Sequence, residues 1–247
     1  QSDYQDDQQT GNSRSASDIV GDASNPAFFM QFDDGGTAGT LTDGNLLFRV
    51  RLGAAGGNST PAFDRNLFVG LDGDGNGSLD LYLGVHNQGS ADELGIYGPG
   101  TDLNTSPNTT SITGPLMTFA ESPTNYSFTS VDTTDLDIDA DGELDYFLSF
   151  AMPFQSVVDM MLAESGIAID QYTAFGFVMA TATQDNSFNQ DINGLPKSFS
   201  KSATWTSLGA ISIPLAPVTA VPEPSTFALL GMFTLTFVTA RRRRRNK

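Results

Sequence analysis

Short runs of alternating apolar and polar residues, broken by Gly, Asn, Asp or Pro, constrain this chain more than any other feature. In Leu81-Tyr-Leu-Gly-Val85, residues 81, 83 and 85 share one face of an extended strand, because strand side chains repeat every two residues. Comparable runs at 27–32, 46–52, 67–71, 126–131, 146–152, 175–181 and 204–213 predict further strands. Helical spacing occurs over 155–165, where Val157, Val158, Met161 and Leu162 follow the 3.6-residue period. Many short strands separated by turns fit two packed sheets. The expected fold is therefore mainly β, a jelly-roll-like β-sandwich with one short helix. The 18 phenylalanines suit pleated surfaces packed face to face. The polar stretch 98–125 reads as an extended surface loop, or as the place of a weak strand.

Composition divides the 247 residues into four parts. Residues 1–24, rich in Gln, Ser, Asp and Gly, read as a disordered leader. Residues 25–213 form the β-sandwich ectodomain, 214–225 a Pro-rich linker, and 226–247 a separate transmembrane helix with a basic tail. The chain begins at Gln1 rather than Met, so a cleaved secretory signal is expected ahead of it. Having no cysteine, it has no thiol catalysis and no cysteine-ligated metal. Six of its 12 basic residues are Arg241–Arg245 and Lys247, against 29 acidic residues in the whole chain. So acidic a body repels nucleic acid and attracts divalent cations.

Near the C-terminus, Pro222, Glu223 and Pro224 precede an apolar run, which ends in Arg241, Arg242, Arg243, Arg244 and Arg245. From Pro224 to Ala240 there are 17 residues without a charge, about 25 Å as a helix, the short end of what crosses a bilayer. Arginines after a lone apolar helix favour a cytoplasmic tail, with the preceding body outside. Motif, span and cluster together resemble a PEP-CTERM sorting signal. That resemblance implies a Gram-negative-type bacterium and an exosortase as processing partner. It also implies a transient inner-membrane anchor and delivery to the cell surface or extracellular matrix.

The sharpest chemical pattern occurs twice. Asp72, Asp74, Asn76, Ser78 and Asp80 occupy alternate positions of one loop, as do Asp137, Asp139, Asp141, Glu143 and Asp145 of a second. Gly77 and Gly142 stand at position 6 of each, and both loops run into apolar strands. Their starts lie 65 residues apart, which indicates two equivalent strand–loop–strand units. Calcium takes six to eight hard oxygens at about 2.3–2.6 Å. Acceptors at positions 1, 3 and 5 can wrap one ion, position 7 offers its carbonyl, and position 9 ligates directly or through water. Turn chemistry accounts for one or two such residues per loop, but not for the whole set in duplicate.

These loops resemble the first nine positions of calcium loops of the EF-hand type, also seen in dockerin and thrombospondin repeats. The resemblance implies bound Ca2+. Position 12, usually a bidentate Glu, is here Leu83 or Leu148, so another donor is needed. Asp132, Asp135, Asp185 and Asp191 are the candidates.

For catalysis the sequence offers little. The one histidine, His86, follows a strand and reads as a rim residue, and no catalytic motif stands out. Trp205 with Tyr82, Tyr97, Tyr126, Tyr146 and Tyr172 are candidates for a sugar-stacking surface. The body is diffusely similar to carbohydrate-binding and DOMON-like sandwiches. The expected function is that of an exported, calcium-stabilised surface or matrix protein, structural or adhesive and not an enzyme. The alternative is a carbohydrate-binding module acting on exopolysaccharide, and a polysaccharide-active enzyme comes third.

Overall fold

A computed structural model describes residues 2–3, 7–8, 15–37, 43–56, 61–89, 92–131 and 137–217. They belong to one compact unit, Gln1–Pro217; a second unit, Val218–Lys247, lies outside the described residues. Two antiparallel sheets build the first unit. One has the order β1 (Phe28–Asp33), β2 (Asn45–Leu52), β8 (Tyr146–Pro153), β7 (Tyr126–Ser130). The other runs β6 (Ile112–Ala120), β5 (Glu93–Pro99), β4 (Leu81–His86), β3 (Asn66–Asp72), β9 (Gly176–Ala182). The helix α1 (Phe154–Ser165) follows β8 directly.

The sandwich arises from alternation. Phe48, Val50, Leu148 and Phe150 of one sheet meet Leu67, Val69, Leu83 and Ile96 of the other, all buried in a shared core. Phe48 stacks on Phe150 with ring centroids 5.0 Å apart. In α1, Val157 and Met161 lie one turn apart and enter the same core, and Gly166 ends the helix in the left-handed region. The strand order departs from the jelly-roll expectation, because β3 to β6 pair consecutively as a meander instead of alternating between sheets.

Every residue of β3 and of β9 is buried, so this part of the five-stranded sheet is covered on both faces. Its outer face carries a second core in which Phe68, Tyr82, Tyr97 and Val178 pack against Phe188, Ile192, Leu195 and Trp205. Residues 204–213, expected as a strand, supply part of this cover through Trp205 and Ala210. They form a short helix, α2 (Trp205–Leu208), capped by Thr204, whose side chain accepts the Ser207 N–H, and closed by Gly209. Local capping overrides the apparent alternation. Leu215, placed in the expected linker, pairs with Phe175 in a bridge.

One strand, β5, falls where no strand is expected, and β6 is the weak strand allowed for within 98–125. β5 has Gly at two of its seven positions, and β6 is an edge strand containing a proline, mostly exposed beyond Ile112. The leader expectation also needs correcting. From Ser15 the chain forms a 3-10 turn, and Ile19 and Val20 are fully buried, with Ile19 bridged to Leu52. Polar composition concealed two apolar anchors. The PEP residues, the apolar run and the five arginines lie outside the described residues. Among the described residues, no helix is long and apolar enough to cross a membrane.

Candidate metal centres

The two acidic loops are hairpin loops, one in each sheet. The first joins β3 to β4 and the second leads from β7 into β8. Their backbones match position by position. Gly77 and Gly142 at position 6 have φ of 86° and 91°, and Gly75 and Ala140 at position 4 are also left-handed. The Gly77 N–H donates to Asp72 Oδ2 at 2.9 Å, and the Gly142 N–H to Asp137 Oδ2 at 3.0 Å. Gly73 N–H donates to Asp80 Oδ2 at 2.8 Å; the corresponding bond runs from Ile138 to Asp145 at 3.2 Å. The Ser78 and Glu143 N–H groups close the turn on Asn76 and Asp141 at the same 2.7 Å.

Carboxylates converge in both loops. One oxygen from each of Asp72, Asp74 and Asp80 lies within 4.8 Å of the others, and Asp137, Asp139 and Asp145 form an equivalent group. Two oxygens that both ligate calcium can stand no more than about 5 Å apart, so each group satisfies the distance condition for one ion. Asn76 and Ser78 turn elsewhere, Asn76 donating to Asp74 and Ser78 to the Leu103 carbonyl. Asp141 and Glu143 are exposed and outside the converging set.

Asp139 is 8% exposed, and among the described residues Asp145 Oδ1 receives no hydrogen bond. Burial pushes Asp139 up to about 7, with Asp137, Asp141 and Asp145 adding to it. Burial pushes Asp80 up to about 6 despite the Gly73 N–H, with Asp74 and Asp72 contributing. Such carboxyls are short of positive charge, and the donor set suits a hard cation.

The loops differ in one respect invisible to pattern reading. Arg51, 2% exposed, donates from Nε to Asp145 Oδ2 at 2.6 Å. A cation is therefore already built into the second loop, and the first has no such partner among the described ion pairs. Burial nevertheless raises the pKa of Asp145 against the lowering by Arg51.

Position 12 supplies nothing, since Leu83 and Leu148 are fully buried in the core. Among the proposed substitutes, Asp132 and Asp135 lie outside the described residues. Asp185 lines a separate cavity beside His86. Asp191 belongs to a third group with Asp7 and Asp18, whose carboxylates also meet within 4.8 Å. Burial, then Asp3, Asp7 and Asp18, raises the pKa of Asp191 well above the usual range, and its Oδ2 accepts the Ile19 N–H at 2.6 Å. Residues so distant in the chain leave no local pattern to find.

The aromatic expectation is largely corrected. Trp205, Tyr82 and Tyr97 are buried core residues, Tyr126 and Tyr146 are half-buried, and Tyr172 is exposed. His86 sits partly exposed at the end of β4, its Nδ1 3.7 Å from Glu93.

Neither the curated proteins nor the solved structures offer a match to this chain. Residues 220–245 match the PEP-CTERM protein-sorting motif. The chain carries a PEP-CTERM sorting signal, which implies export, handling by an exosortase and a transient membrane anchor at the C-terminus.

Proposed function

We propose that the ectodomain is a calcium-stabilised surface or matrix protein with a structural or adhesive role, not an enzyme. The observation that carries this reading is the duplicated loop, in which three carboxylates meet on the same backbone frame in both sheets. Each loop closes a hairpin. An ion held there would pin the ends of β3 and β4, and of β7 and β8, without contributing chemistry of its own. Asp72, Asp74 and Asp80 would hold the first ion; Asp137, Asp139 and Asp145 the second. The strands would then resist the pulling and proteolysis met outside the cell.

Calcium titration calorimetry on the full chain in detergent tests this reading. Two binding events are expected. Asp72→Asn with Asp74→Asn should remove the tighter event, because the first loop has no resident guanidinium competing for its carboxylates. Asp137→Asn with Asp139→Asn should remove the weaker one. Absence of heat in the parent chain would contradict the reading.

A further inference from the structure

The outer face of the four-stranded sheet differs in chemistry from the rest of the molecule. The other sheet is covered on both sides along β3 and β9, but this face carries an open cavity of about 410 Å³. The register places Phe29, Arg49, Ser149 and Ser127 in one row across the four strands, about 14 Å long at the usual strand spacing. The next row carries Gln31, Leu47 and Ala151. In a chain with 29 acidic residues, no Asp or Glu lines the cavity among the described residues, and Arg49 is the one charge among them there.

Arg49 is exposed and held in place. Its Nε donates to Ser149 Oγ at 3.0 Å, and its guanidinium carbon lies 5.4 Å from the centre of the Phe147 ring. Nε is its one nitrogen with a hydrogen-bond partner among the described residues, which leaves the terminal amino groups of this cavity-lining side chain available as a two-pronged donor. Beside it Phe29, 44% exposed, packs edge-on to Phe147 at 6.5 Å and presents an open ring. Gln31, Asn125 and Ser127 supply amide and hydroxyl groups around them.

We propose that this face is a binding groove for an acidic polysaccharide, with Arg49 taking a uronate carboxylate and Phe29 the apolar face of a sugar ring. Charge complementarity selects the occupant. An anion is repelled by the rest of this body and finds in the groove a fixed guanidinium with no competing carboxylate. A uronate joins that anion to a C–H face for the ring and hydroxyls for the serines and amides. An acidic peptide brings the charge but not the ring of hydroxyls. The inference does not depend on calcium in the loops.

The test measures binding of trigalacturonate and neutral galactotriose to the full chain in detergent, at one fixed calcium concentration so that the loops are in the same state throughout. Trigalacturonate should bind at least about tenfold more tightly than galactotriose, the worth of one charge-assisted contact. Arg49→Gln should abolish that preference, Arg49→Lys should restore part of it, and Phe29→Ala should weaken both sugars. Arg49 and Phe29 are exposed, and unchanged melting of the variants will separate lost contact from lost fold. Three results would overturn the proposal: equal affinity for the two sugars, trigalacturonate binding unaffected by Arg49→Gln, or binding of oligoglutamate but not of trigalacturonate.

Discussion

A guanidinium 2% exposed to water persists in a core only where something answers its charge, and for Arg51 that is Asp145, itself 0% exposed. Removing one partner strands the other. Arg51→Met should cost the chelated protein about 3–5 kcal/mol, read by denaturant unfolding, as is usual for breaking a buried pair. Calcium should recover much of that loss, because a cation in the second loop then takes over the neutralising role. An equal loss with and without calcium would mean that no ion reaches Asp145. The loop carboxylates could be read from the sequence because their spacing is local. The Arg51–Asp145 pair, separated by 94 positions, and the Asp7–Asp18–Asp191 group could not, because only the folded sheets bring them together.

At the scale of elements, the second loop depends on how β2 ends. Gly53 follows β2, and a Cβ there would stand 2.7 Å from Asp139 Oδ2. Gly53→Ala should therefore displace Asp139, weakening calcium at the second loop and leaving the first unchanged, as site-resolved titration would reveal. The strands that sequence made legible were those with strict alternation, such as β4, and those built of bulky apolar residues, such as β8. β5 escaped because Gly84 and Gly95 face each other to make room for the rings of Phe68 and Tyr97, and glycine carries no hydropathy signal. β6 could be read no further than a weak strand somewhere in 98–125, because it lies at an edge and is mostly exposed. The stretch 204–213 reads as a strand for the opposite reason. Its apolar residues are needed to cover a sheet, and capping then decided the local shape.

For the molecule as a whole, we propose that calcium completes this acidic sandwich by neutralising its converging carboxylates. Without an ion, Asp80 and Asp139 titrate near 6 and 7 when folded but near 3.8 when unfolded. A raised carboxyl pKa means that the folded state binds more protons. That contribution to stability is full below 3.8 and is lost as pH rises through 6 to 7. Calcium replaces those protons, so its stabilising effect should grow over the same window. An ion at 100 times its dissociation constant adds about 2.7 kcal/mol, or about 5–10 °C in Tm for a domain of this size. The most direct measurement is thermal melting of the full chain with saturating calcium and with chelator, at neutral and mildly acid pH. Completion of the sandwich by calcium requires a higher Tm with calcium, by about that amount per occupied loop, with the gain shrinking in acid. Coincident melting curves at neutral pH would contradict it.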